Sequence, residues 1–347
     1  MLKLYVNHFL QEKVWLTPLL KYPDYFTWTS LPEDADFLVL ECPYEVMYDY
    51  SSQEYIQYGI ETSDLKILRN SFETLKEISV RLNKKIIIFY YRDPATALNI
   101  PNAVIFRTSI NKSTKEEFTF AMPAWIPQAD EKYLLERSDN RMKSAKPSVT
   151  FRGQHAAMNL PFSTNVRLFG NKLLDIVGSN RKINVYCNPG YIARRNAIKS
   201  IINNRSEIHL DYASVSWEDQ KENPQYFKQS YLESIINAEY VICSSGFGNY
   251  SYRFYETLAA GRIPIFINTN SELPFENIID WKSVAIWCEE NESNRVGKKT
   301  ISFHSKFTPQ SFLDLQKEIR EIYLNYMCMD GFCRNIPKIL DQLILMK

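Results

Sequence analysis

No apolar run in this chain approaches the length that crosses a bilayer, and its start, Met-Leu-Lys-Leu-Tyr-Val-Asn, lacks the apolar core of a signal peptide. The expectation is a cytoplasmic protein. Net charge is also nearly absent: 41 Lys and Arg against 40 Asp and Glu leave +1, which provides no bulk attraction for nucleic acid. The six cysteines, at 42, 187, 243, 288, 328 and 333, are scattered. Cys328 and Cys333 lie close together, but no second cysteine or histidine pair completes a zinc site. Cys42 and Cys243 fall in apolar runs and read as buried thiols, which suits a reducing compartment. Internal repeats and low-complexity tracts are missing too.

What is present is ordinary for a globular protein. The chain has 347 residues, 45% hydrophobic and 23% charged, which is enough for two domains that each bury a core. Tyrosine (22) and phenylalanine (20) are plentiful; such rings line sugar sites and fill cores alike. Strand-like runs alternate with helix-like segments in both halves, so two α/β domains with parallel sheets are expected. The boundaries read as 1–145 and 148–330, with charged residues 130–147 as linker and 334–347 as a terminal helix packing back on the first domain.

In the first half, Leu2–Val6, Phe37–Glu41, Lys85–Tyr91, Ala103–Thr108 and Phe118–Met122 read as strands. Ser71 is placed as the cap of a helix running to Asn83. Asp34-Ala35-Asp36 has the pattern of a metal-binding pair but precedes its strand, and it reads as a solvated turn. Asp93 follows the clearest strand, at the end where α/β sheets place chemistry. It suits a general base, or an Asx-turn before Pro94.

In the second half, Ser148–Phe151, Ile183–Cys187, Ile208–Tyr212, Tyr240–Cys243 and Arg262–Asn268 read as strands. Helices are expected from Ser163 or Thr164 to Val177, from Tyr191 to Asn203, from Pro224 to Ala238 and from Thr308 to about Met327, and residues 289–300 as an exposed loop. The organising stretch is 239–268, read as strand, glycine-bearing loop, helix, turn and strand. Its loop Ser244-Ser245-Gly246-Phe247-Gly248-Asn249 sits where a phosphate could meet a helix N-terminus. Arg253 and Glu256 share one face of that helix; spacing alone makes them an ordinary surface pair. Arg152-Gly153 follows the strand Ser148–Phe151, with Arg152 open to a surface ion pair or a site role.

Cys243, Ser244, Gly246, Arg253, Glu256, Gly261, Ile263 and Pro264, followed by Leu273-Pro274-Phe275 and Asp280-Trp281, resemble the signature of exostosin-family glycosyltransferases. The loop lacks the family's Cys-Pro, and Arg262 stands where a cysteine is frequent. The resemblance implies a GT-B-type fold, with two Rossmann-like domains facing across a cleft, and inverting transfer of a sugar from a nucleotide-diphosphate donor to a hydroxyl of a glycan or glycolipid acceptor. It implies donor binding by Arg152, Gly153, Ser244, Ser245, Gly246, Gly248 and Arg253, with Glu256 on the ribose and Asp93 as base. No metal and no other cofactor are expected. A soluble bacterial or viral enzyme at the inner face of a membrane is the expected setting, with peripheral membrane association as an option. The alternative is a catalytically inactive carbohydrate- or nucleotide-binding relative. On the transferase reading, Arg253→Ala should cut turnover far more than stability.

Overall fold

The structure is a computed structural model. It describes residues 1–7, 17–48, 51, 60–159 and 189–345, and within 160–188 only residues 163, 166, 167, 169, 170 and 174. The strand expected at 183–187 lies outside the described residues, and so does most of the helix expected from Ser163 or Thr164 to Val177.

Two parallel sheets organise the chain. The first has the order β2-β1-β3-β4-β5-β6, made of Lys3–Val6 (β1), Thr27–Trp28 (β2), Phe37–Val39 (β3), Ile86–Tyr90 (β4), Ala103–Arg107 (β5) and Thr119–Ala121 (β6). β4 and β5 are buried at every residue, as expected of strands covered on both faces. The second sheet has the order β11-β10-β9-β7-β8, from Ser148–Gly153 (β7), His209–Ser214 (β8), Tyr240–Ser244 (β9), Ile263–Asn268 (β10) and Ile286–Glu289 (β11). β7 pairs with β8 on one side and β9 on the other. Strand order therefore reverses between β7 and β9, and in open α/β sheets ligands bind beyond the carboxyl ends at such a switch point.

The chain folds as two α/β units, each built on one of these parallel sheets. One hydrophobic cluster runs through both units, from Leu4 and Phe106 to Ile265 and Leu340. Loop residues after β5 dock on the second unit: Lys112 pairs with Glu276 at 2.8 Å and Lys115 with Glu272 at 2.7 Å. The terminal helix, Met329–Leu345, sets Phe332 edge-on against Phe106 and Trp125, each at 5.7 Å between ring centres.

Several local expectations change. The helix placed from Ser71 is Thr62–Leu82 (α1), with Ser71 buried at its middle. Asp64 accepts the Glu61 N–H at 3.2 Å near its start, and the charged residues there concealed the inward stripe Leu65, Leu68, Phe72, Leu75. The supposed linker begins as a helix, Gln128–Arg137 (α2), which buries Leu134. The rest of it is pinned: Glu239 accepts from Ser144 N at 2.7 Å and Ser148 N at 2.8 Å. Residues 289–300 are not a loop but a turn, Glu290–Arg295, and the start of the helix Val296–His304, which buries Val296 and Thr300.

The residue standing in place of the family's cysteine is a strut. Arg262 is 1% exposed and donates to the carbonyls of Ile236 and Asp139, both at 2.8 Å, and to Gln316 Oε1 at 3.3 Å. The second sequence motif also braces the fold. Trp281 is buried and donates to the Pro274 carbonyl at 3.0 Å, while Phe275 packs on Tyr326 and Phe332.

Candidate functional site

The reversal of strand order brings the ends of β7 and β9 side by side, and most of the candidate residues meet there. Gly153 closes β7 with φ at +144°, a backbone conformation that L side chains rarely adopt. A Cβ there would also stand 3.0 Å from Arg253 Nη2. At the end of β9, Ser244 is buried and donates its hydroxyl to the Gly190 carbonyl at 3.2 Å. Gly246 N–H donates to Tyr250 O at 3.1 Å, so the loop closes on itself before the helix Tyr252–Ala259 begins. That helix ends in a Schellman pair: Arg262 N–H reaches Thr257 O and Gly261 N–H reaches Leu258 O, both at 2.9 Å.

Arg253 leaves the first turn of this helix and crosses beneath the strand ends. Its Nη2 donates to the Arg152 carbonyl at 2.6 Å, its Nη1 to the Ile242 carbonyl at 3.4 Å and its Nε to the Tyr231 hydroxyl at 3.3 Å. The guanidinium lies 4.4 Å from the Phe151 ring centre.

A second guanidinium that sequence reasoning did not single out joins it. Arg194, on the helix Pro189–Ile202, donates to the carbonyls of Gln154 at 3.0 Å, Ser245 at 2.9 Å and Ser244 at 3.3 Å. Its Nε has no acceptor among the described residues, and it lies 6.0 Å from the Phe151 ring. Burial, with Arg253 nearby, pushes its pKa down to about 10. In the sequence, Arg194 and Arg195 are equivalent exposed-helix residues; only the direction of the helix separates them.

Two residues are placed otherwise than expected. Arg152 does not turn its side chain to the loop: the guanidinium pairs with Asp211 on β8 at 2.9 Å, and its carbonyl serves Arg253. Alternation along a strand sends Arg152 and Gly153 to opposite faces. Glu256 is buried under Arg253 and accepts the Tyr231 hydroxyl, so it is engaged in the wall rather than presented at an opening. Burial raises its pKa above the ordinary 4.5, although Tyr231 and Arg253 pull the other way.

Asp93 arrives from the other unit. It is exposed just beyond β4 and accepts a hydrogen bond from the Tyr250 hydroxyl. A Cβ on Gly248 would sit 2.8 Å from Asp93 Oδ1 and 2.5 Å from the Tyr250 ring, so only glycine permits this approach. Asn249 reinforces the junction, donating its N–H to Ser109 Oγ at 2.9 Å and its Nδ2 to Ile110 O at 2.8 Å. Phe247 at the loop tip is 69% exposed, beside Tyr191 at 6.2 Å. No group of three His, Cys, Asp or Glu side chains forms a metal cage among the described residues.

The family model described as Exostosin GT47 domain matches residues 118–302, more than half of the chain. Exostosin-1 homolog of Caenorhabditis elegans is 28% identical over 125 residues, 36% of this chain and 30% of that protein. Exostosin-1 of Drosophila melanogaster is 37% identical over 70 residues, 20% of this chain and 9% of that protein. A probable glucuronosyltransferase, GUT1 of Oryza sativa subsp. japonica, is 33% identical over 85 residues, 23% of this chain and 20% of that protein. The matches thus span less than a third of each of these relatives. A solved structure of Anabaena Alr3699/HepE, in complex with UDP and glucose, aligns over 98% of this chain and 99% of its own, with 7% identity and a TM-score of 0.39.

Proposed function

Since the chain belongs to the exostosin GT47 family, we propose that it transfers a sugar from a nucleoside-diphosphate donor to a hydroxyl of a glycan acceptor. The observation that carries this reading is the pair Arg194 and Arg253 at the switch point, two guanidiniums held by main-chain carbonyls around one aromatic ring. Two cations this close repel each other, so the site is preorganised for an anion whose charge grows during reaction. A departing diphosphate is such an anion.

In this reading the acceptor oxygen bonds to the anomeric carbon while the bond from that carbon to the diphosphate breaks. The electron pair leaves with the diphosphate, and Asp93 takes the proton of the attacking hydroxyl. Tyr250 orients Asp93 against the Gly248 loop, which couples the base to the donor side. Phe247 and Tyr191 offer a stacking face for a nucleobase. Glu256 acts through Tyr231, holding Arg253 in place. The arginines take the part a divalent cation plays elsewhere, so transfer is independent of metal.

The test is thermal unfolding of the purified protein with a panel of nucleoside diphosphates, with and without EDTA, followed by nucleotide-release assays with nucleotide sugars. A ligand confined to the native state raises the melting temperature by mass action. The expected result is an EDTA-insensitive shift that Arg194→Met abolishes, and turnover that Asp93→Asn lowers by about 10²–10⁴-fold. Nucleotide binding without turnover of any nucleotide sugar would favour an inactive relative instead. No shift with any nucleotide would overturn the assignment of the site.

A further inference from the structure

A concave surface lies away from this site, at the outer edge of the second sheet. It encloses about 860 Å³ between the start of β11, the end of the helix Pro189–Ile202 and the helix Val296–His304. β10 and the length of the strands separate it from the carboxyl ends of β7 and β9. Its lining carries five cations, Lys282, Arg295, Lys298, Lys299 and Lys306, and no carboxylate. In a chain whose net charge is only +1, that concentration is local rather than a general surplus.

Neutralisation within the fold is incomplete. Glu292 pairs with Lys299 at 2.6 Å and, at 3.5 Å, with Arg295. Lys282, Lys298 and Lys306 are exposed and have no ion-pair partner among the described residues. Two aromatic rings stand between these cations: Trp287, with the Lys282 ammonium 5.6 Å from its centre, and Phe303, with that of Lys306 at 5.8 Å. Side-chain amides of Asn203 and Asn294 complete the wall.

We infer that this groove binds an acidic oligosaccharide. Half-buried rings offer faces on which sugar rings stack, amides match hydroxyls in both donor and acceptor capacity, and the lysines meet carboxylate or sulfate groups. The concavity suits a chain that enters a pocket rather than a flat charged surface. A nucleic acid would call for a basic stripe following its backbone, and here the cations close around one pocket. The inference rests on the proposed glycan-transfer reading for its biological sense: the groove would hold a distal stretch of the growing acceptor, so that acceptor affinity rises with chain length.

Direct binding tests the groove separately from turnover. Isothermal titration at low salt would compare hexagalacturonate, maltohexaose and a short oligothymidylate on the full chain and on Lys298→Glu/Lys306→Glu, with Lys298→Gln/Lys306→Gln as a milder second variant. Hexagalacturonate should bind, maltohexaose at least tenfold more weakly, and both double variants should lose at least tenfold in affinity while unfolding at the wild-type temperature. Arg194→Met, which disables the proposed donor site, should leave hexagalacturonate binding unchanged. That result would stand even if no nucleotide sugar turned over, so the two readings fail separately. Equal affinity for maltohexaose, no hexagalacturonate binding, binding unaltered in both double variants, or tighter binding of oligothymidylate would each overturn the inference.

Discussion

Replacing Arg253 by alanine tests the site and its scaffold together. The guanidinium makes one short bond, 2.6 Å to the Arg152 carbonyl, and two long ones, 3.3 Å to the Tyr231 hydroxyl and 3.4 Å to the Ile242 carbonyl. The short charge-assisted bond contributes about 2 kcal/mol and the long pair about 1 kcal/mol together. The contact with Phe151 at 4.4 Å adds about 1 kcal/mol. The loss is therefore roughly 4 kcal/mol, and a domain of this size gives up about 2–4 °C per kcal/mol. Arg253→Ala should thus lower the melting temperature by about 10 °C as well as abolish nucleotide-induced stabilisation. This changes the simpler expectation that turnover would suffer far more than stability, because the residue ties β7 to β9. Arg253→Lys keeps the charge but not the fork, and should recover less than half of the lost stability. Thermal and urea unfolding of both variants, read by circular dichroism, measure this. A melting temperature within about 2 °C of wild type for Arg253→Ala would refute the structural share of the argument.

Four further outcomes follow from the same geometry. Gly248→Ala forces a methyl group to within 2.8 Å of Asp93 Oδ1 and 2.5 Å of Tyr250; it should cost about 1–3 kcal/mol and lower kcat by about 10²-fold through the displaced base, as steady-state kinetics and unfolding would read. Glu256→Gln removes a carboxyl whose burial raises its pKa and keeps an oxygen for Tyr231, so urea unfolding should find stability within about 1 kcal/mol of wild type, and a larger loss would mean the charge itself holds Arg253. Arg262→Ala strips the carbonyls of Ile236 and Asp139 of a fully buried partner and should cost about 2–6 kcal/mol by urea unfolding, at about 1–3 kcal/mol for each carbonyl left unsatisfied. His304 donates from Nε2 to the Ser144 carbonyl at 2.9 Å and accepts from Tyr240 at Nδ1, 2.8 Å, and burial lowers its pKa below the ordinary 6.5. The unfolded chain therefore takes up this proton first as pH falls through 6.5. Its contribution makes stability decline, by at most about 1.4 kcal/mol per pH unit, until the lower folded-state value is reached. His304→Asn should flatten that slope in urea titrations across this range.

Much of the fold could be read from the chain alone, because its signals are local. The apolar runs at 86–90, 103–107, 240–244 and 263–268 are strands buried by their own composition. Thr308-Pro309 opens a helix because a hydroxyl cap and a proline need nothing beyond the first turn. The strand–loop–helix–strand stretch around Gly246 and Arg253 was legible for the same reason, and its motif spacing pointed to the family that the wider match supports. Helix α1 and residues 289–300 are concealed in the sequence, because charged residues there outnumber the apolar stripe they flank.

The tertiary structure decided what each polar group faces. Arg152 and Gly153 are adjacent in sequence, but strand alternation commits one to Asp211 and leaves the other under Arg253. Glu256 reads as a surface carboxylate until the helix is packed, whereupon Tyr231 from a separate helix covers it. Arg194 looks like its neighbour until its helix is set beside β9, which makes it the second cation of the pair. A linear chain specifies which residues prefer a helix, a strand or a turn through interactions a few residues long. It does not show which distant carbonyl, ring or charge will lie within 4 Å, because that proximity arises only when the sheets close and every buried polar group must find a partner.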